Sequence, residues 1–168
     1  QPGDFLFIQF GHNDEKAEDP ARYTSPEDTF RGYLAVFVKA AREKGAYPVL
    51  ITPLTRRCYR DPQAKYSHGP YAAAMRELAR ELCVPLIDLT AESEKLVDRM
   101  GEDAKQLYMN LPAGRFSHYP DGLEDNTHLQ PAGALAFAGL VAEGLQALGG
   151  AYAALLSDEA CQWMRERA

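Results

Sequence analysis

Two short polar stretches hold the residue types that acyl transfer needs. In Gly11-His12-Asn13-Asp14 three polar side chains follow a glycine, and in Asp125-Asn126-Thr127-His128 an aspartate stands three residues ahead of a histidine. An aspartate at that spacing in a turn can fold its carboxylate onto the imidazole Nδ1–H. Such a bond selects the tautomer, leaves Nε2 bare as a base, and stabilises the imidazolium formed when Nε2 takes a proton. A side-chain amide such as that of Asn13, held at a strand end, can donate to an oxyanion as it develops. Each stretch alone is unspecific; their combination singles them out.

The elements that must position these residues are legible around them. Asp4 to Phe10 is an apolar run of strand formers that stops at a glycine, the pattern of a buried parallel strand delivering a loop. Open α/β sheets bind ligands beyond the carboxyl ends of their strands, so the loop it feeds is well placed. Ser25-Pro26-Glu27-Asp28 reads as a helix start with Ser25 as the cap, followed by Phe30, Leu34, Phe37, Val38 and Ala41 at helical spacing and stopped by Gly45. Tyr47 to Thr52 is a second strand, and Pro53 to Arg57 is the loop leaving it. Cys58 to Gly69 is a polar excursion containing His68, read as solvent-exposed. Pro70 opens a helix with Tyr71, Met75, Leu78, Ala79 and Leu82 on one side, and Val84 to Leu89 is a third strand.

Thr90 is expected to cap a helix from Ala91 to Met100, with a weaker helical piece over Glu102 to Tyr108. Asn110 to Asn126 reads as loop, long enough to be functional. Pro131 starts a helix with Leu135, Ala138, Val141, Leu145 and Leu148 inward, ended by Gly149-Gly150. A last helix runs from Ser157 to Arg167, with Trp163 as a packing anchor. Strands alternating with helices imply an α/β fold with a parallel sheet covered by helices. The reading is one domain over residues 1–168.

Composition narrows the function. A formal net charge of -6 argues against nucleic acid or an anionic membrane as partner, because either needs a basic face. Three cysteines without paired spacing, Cys58, Cys83 and Cys161, signal neither a disulfide framework nor a zinc site. The reading of the sequence is that no stretch approaches the ~18 apolar residues of a membrane span.

Read in full, the two stretches resemble the SGNH (GDSL-type) hydrolases. Gly11-His12-Asn13-Asp14 is similar to that family's G-x-N-D block and Asp125-Asn126-Thr127-His128 to its D-x-x-H block. The wording from Pro2-Gly3-Asp4 to Asp14, with Tyr119-Pro120-Asp121-Gly122 leading into Asp125, resembles the rhamnogalacturonan acetylesterases. The resemblance covers roughly the first 150 residues. It implies a three-layer α/β/α sandwich with a flavodoxin-like parallel sheet, and an esterase that removes acetyl groups from pectic polysaccharide through a serine acyl-enzyme, with no cofactor and no metal. Asn13 would be the oxyanion donor, Asp125 the orienting carboxylate and His128 the base.

The family's Gly-Asp-Ser block and its serine nucleophile have no counterpart. The serines are Ser25, Ser67, Ser93, Ser117 and Ser157, none in that context. The expectation is therefore a carboxyl-terminal portion of an acetylesterase lacking the first strand and nucleophile, inactive by itself. Its strand at Asp4 to Phe10 would have an open apolar edge prone to self-association. His12, Asp14, Arg56, His118 and Tyr119 are candidate substrate contacts, with Arg56 and Arg57 suited to a galacturonate carboxylate. Two other readings are a catalytically inactive carbohydrate-binding or scaffolding module and a metal hydrolase built on His12, Asp14, Asp125 and His128. Compartment, cytoplasmic or secreted, is not readable.

Overall fold

The computed structural model describes residues 1–57 and 68–166, leaving aside the Trp163 side chain. Cys58, Ser67 and the Trp163 packing expectation fall outside the described residues. The chain divides into two compact units, Gln1–Pro53 with His68–Thr90 and Leu54–Ser67 with Ala91–Ala168.

The first unit is built on a parallel three-stranded sheet, β1 (Phe5–Ile8), β2 (Tyr47–Ile51) and β3 (Leu86–Ile87), in that spatial order. The register pairs Phe5 with Tyr47, Ile8 with Leu50, and Ile51 with Ile87. Helices α1 (Arg31–Glu43) and α2 (Gly69–Glu81) supply Leu34, Val38, Met75 and Leu78 to a core shared with Ile8, Phe30 and Leu50. Each strand of this parallel sheet is followed by a helix, so the expected α/β fold with a parallel sheet holds. At the carboxyl ends, the Thr52 hydroxyl donates to Asp88 at 3.0 Å and accepts from the Thr90 N–H at 2.8 Å. Arg76 closes on the same Asp88 carboxylate through two N–H groups at 2.8 and 2.9 Å.

Several local expectations are corrected in this unit. Ser25 makes no side-chain cap; a π-helical turn, Pro26–Phe30, precedes α1, and the Ser25 N–H is taken by the Thr29 hydroxyl at 2.8 Å. Phe37 is not core: it stays exposed and stacks on Phe10, with ring centroids 5.4 Å apart. The third strand is shorter than its apolar run because it ladders only through Leu86 and Ile87. β1 is an edge strand whose Leu6 and Phe7 are 37% and 43% exposed.

The second unit contains α3 (Leu89–Met100, shared at its start with the first unit), a 3-10 helix (Gly101–Leu107), β4 (Tyr108–Leu111), β5 (Leu123–Leu129), α4 (Pro131–Leu148), α5 (Gly150–Ala153) and α6 (Asp158–Arg165). Thr90 lies inside α3 and does not cap it; its hydroxyl donates to the Pro53 carbonyl. Ser157 does cap α6, accepting from the Ala160 N–H at 3.2 Å. The segment read as loop over residues 110–126 instead contributes to an antiparallel pair, β4 with β5. The pairing is invisible locally because β5 carries a run of polar residues, Glu124 to His128, between its terminal leucines and so matches no strand pattern.

On α4 the buried residues are Gly133, Phe137, Gly139, Leu140 and Leu145, whereas Leu135 and Ala138 are exposed. The inward face is thus rotated from the expected one, because Gly133 must face the Leu107 carbonyl, where a Cβ would stand 2.0 Å from the oxygen. Interleaved alanine, glycine and leucine also give α4, over 18 residues, a mean hydropathy of 1.3. By length and composition alone it meets the measure of a membrane span, which corrects the earlier expectation; 28% of it is buried in the protein.

Candidate active site

The loop after β1 is folded onto its own carboxylate. Gly11 has φ +134° and is buried against Pro53, where an added Cβ would meet the ring at 3.0 Å, so a side chain there is opposed by both strain and space. Asp14 accepts the Gly11 N–H at 3.0 Å and the Thr24 hydroxyl at 3.2 Å, closing the turn. Tyr71, nearly buried on α2, donates its phenol toward the carbonyls of Asp14 (3.0 Å) and Thr24 (2.6 Å). Burial, with the Tyr23, Asp14 and Glu15 side chains adding to it, pushes the Tyr71 pKa up to about 12, so the phenol stays a donor. The result is a braced turn that leaves Asn13 exposed, its amide oxygen accepting one long bond from Arg22 at 3.4 Å.

His12 sits beside Asn13 with its ring edge-on to His68, centroids 4.4 Å apart. His68 is 1% exposed, which overturns its reading as a solvent-exposed loop residue. Its Nδ1 lies 3.3 Å from the Glu15 carboxylate, and that pairing makes its burial tolerable. No local signal announces this contact; it joins residues 53 positions apart.

In the second unit, β5 carries the aspartate and the histidine on an excursion from its ladder. Tyr108 pairs with Leu129 and Asn110 with Glu124, so Met109 alone stands opposite residues 125–128. Bulges of this kind re-aim side chains beside functional sites. Within it, Asp125 Oδ1 accepts the N–H groups of Thr127 (2.7 Å) and His128 (2.9 Å), and Oδ2 lies 2.6 Å from His128 Nδ1. The sequence expectation of a carboxylate folded onto the imidazole is met in distance, on an interrupted strand and not a simple pre-helical turn. Partial burial by itself would raise the Asp125 pKa; the His128 N–H, the imidazole and the Thr127 N–H outweigh it and hold the carboxyl below its ordinary value. His128 is 79% exposed in its side chain, so Nε2 has open access to solvent.

The other expected residues are placed separately. Arg56 Nε donates to the Thr127 hydroxyl at 3.2 Å, a contact the sequence did not suggest. His118 and Tyr119 are exposed, the latter paired in an isolated bridge with Phe116. A groove of about 530 Å³ in the same unit is lined by Lys105, Gln106, Asn110, Pro112, Gln130 and Ala132 and includes neither Asp125 nor His128. Of the serines, Ser93 is fully buried and accepts the Thr55 N–H at 2.9 Å, Ser157 is a cap and Ser117 is exposed. Among the described residues, no three histidine, cysteine, aspartate or glutamate side chains are grouped to hold a metal ion.

The sequence profile of the GDSL-like lipase/acylhydrolase family matches residues 1–136. This chain belongs to that family. The GDSL-like chain is 46% identical over 150 residues to rhamnogalacturonan acetylesterase RhgT of Bacillus subtilis strain 168, covering 88% of itself and 62% of that relative. It is 38% identical over 149 residues to the probable rhamnogalacturonan acetylesterase YesY of the same organism, covering 89% of itself and 65% of YesY. It thus spans less than two thirds of the length of these curated relatives. Among solved structures, the Bacillus subtilis protein YXIM superposes with a TM-score of 0.69 at 25% identity over 89% of this chain and 38% of that one. A catalytic mutant of the acetylxylan esterase Axe2 of Geobacillus stearothermophilus superposes with a TM-score of 0.59 at 16% identity over 84% of this chain and 58% of Axe2. That second likeness is one of fold.

Proposed function

We propose that this GDSL-like chain is the acid–base and oxyanion-binding portion of a carbohydrate esterase that deacetylates pectic polysaccharide, rhamnogalacturonan in particular. The observation that carries the reading is the 2.6 Å contact between His128 Nδ1 and Asp125 Oδ2 in a family of acyl hydrolases. With Nδ1–H held by the carboxylate, Nε2 takes the proton of a nucleophilic hydroxyl as it attacks the acetyl carbonyl. The Asn13 amide donates to the oxyanion of the tetrahedral intermediate, and His128 returns the proton to the departing sugar oxygen, leaving an acetyl-enzyme that water cleaves by the same route. His12, Asp14, His118 and Tyr119 are proposed to border the sugar.

None of the five serines stands in a Gly-Asp-Ser context. The nucleophile is therefore proposed to come from outside these 168 residues, within one SGNH-type domain. The substrate rests on the names of RhgT and YesY.

The test is acetate release from acetylated rhamnogalacturonan and from an aryl acetate, by the 168-residue chain and by the protein encoded by its whole reading frame. The chain should be inactive and the whole protein active, with activity lost in His128→Ala. Turnover by the chain alone, blocked by a serine-reactive phosphonate, would show that the nucleophile lies within it. Sugar binding by the whole protein without acetate release would favour a non-catalytic carbohydrate-binding module.

A further inference from the structure

The dyad lies on a segment with no ladder partner and an exposed histidine, so packing alone does not fix the imidazole. What holds the segment comes from the loop leaving β2. The Arg57 N–H donates to the Asn126 carbonyl at 2.9 Å, and Arg56 Nε donates to the Thr127 hydroxyl at 3.2 Å. That hydroxyl donates in turn to Asn126 Oδ1 at 2.8 Å. The Arg57 guanidinium reaches Glu124, the last paired residue before the excursion, at 3.4 Å.

The bracing loop is itself pinned from below. The Thr55 N–H is held by Ser93 and the Thr55 carbonyl accepts the Tyr108 phenol at 2.7 Å, with Ser93 and Tyr108 both 0% exposed. A run of hydrogen bonds therefore links the core of this unit, through Thr55, to Arg56 and Arg57 and on to the residues between Asp125 and His128. The Arg57 guanidinium is 9% exposed, its Nε has no partner among the described residues, and Glu124 is largely solvated. Such an incompletely satisfied ion pair adds little to stability.

We infer that Arg56 and Thr127 are positioning residues of the esterase, holding the Asp125–Thr127–His128 turn in the geometry that keeps the imidazole on its carboxylate. This rests on the proposed function for its catalytic meaning. It gives Arg56 a role other than capture of a substrate carboxylate, and the two make different predictions. A positioning residue affects kcat on every ester, whereas a carboxylate receptor affects KM on acidic substrates only.

The first arm is NMR of the isotope-labelled 168-residue chain, reading the His128 Nδ1–H resonance and ring nitrogens. Arg56→Met, which keeps the aliphatic stem, and Thr127→Val should each abolish the protected Nδ1–H signal. The double variant should lose less than the sum of the two single changes, because both remove the bond that Arg56 and Thr127 share. Arg56→Lys should restore the signal in part. The second arm uses the whole protein and a neutral aryl acetate, where Arg56→Met should lower kcat by about 10- to 100-fold with little change in KM.

An unchanged Nδ1–H signal in folded Arg56→Met and Thr127→Val, or a defect confined to KM on acidic substrates, would overturn the inference. An inactive whole protein whose Nδ1–H signal still depends on Arg56 would count against the esterase reading and support the bracing.

Discussion

His128 Nδ1 lies 2.6 Å from Asp125 Oδ2 on a stretch of β5 that has left its ladder. The same carboxylate receives two backbone N–H groups, so it organises the turn as well as the imidazole.

Asp125→Asn should keep the fold and lose catalysis. The amide can still accept the two N–H bonds through its oxygen but no longer stabilises an imidazolium, and in the whole protein kcat should fall by about 10⁴-fold, as in other histidine-based triads. A kcat measured against pH checks this; a loss below tenfold would remove Asp125 from the mechanism.

The lowered Asp125 pKa also has a stability consequence with a definite sign. A carboxyl depressed on folding contributes fully above its unfolded pKa of about 3.9 and loses that contribution as pH falls through the lower folded value. Urea unfolding of the chain and of Asp125→Asn should therefore differ at pH 6 and converge as the pH drops below about 4.

Tyr71→Phe should destabilise the first unit by about 1–3 kcal/mol, because the Asp14 and Thr24 carbonyls lose a donor from a nearly buried side chain. For wild type the sign is the reverse of that for Asp125. The phenol's contribution is complete below its unfolded pKa near 10 and is lost as pH rises through its folded value of about 12. Ultraviolet difference titration should show one tyrosine ionising late, and Tyr71→Phe should remove it.

Asn13→Ala should separate stability from catalysis. Its side chain is exposed and carries one long bond from Arg22 at 3.4 Å, so the unfolding midpoint should scarcely move. Loss of an oxyanion donor should cost about 10²- to 10³-fold in kcat of the whole protein. Equal losses in stability and rate would make Asn13 structural.

The β1 edge should drive self-association of the 168-residue chain, through the exposed Leu6 and Phe7. Sedimentation velocity should show concentration-dependent oligomers that Phe7→Lys disperses; a monomer at all concentrations would end this proposal.

Sequence by itself determined what depends on near neighbours. A parallel strand within the run Asp4 to Phe10, the glycine that ends the run, helix starts near Pro70 and Pro131 and the aspartate three residues ahead of the histidine are local codes readable in the sequence, whereas the short extent and exposure of that strand are not. Tertiary structure alone decided what depends on distant partners. The pairing of β4 with β5 is set by residues more than ten positions apart, and it turns Asp125 to His128 from a loop into a bulge. His68 is buried because Glu15, far away in the chain, satisfies it. The inward face of α4 follows from the Leu107 carbonyl pressed against Gly133, and Arg56 meets Thr127 across 71 positions. Periodicity along a chain reports which side chains share a face, but only the packed fold says what that face meets.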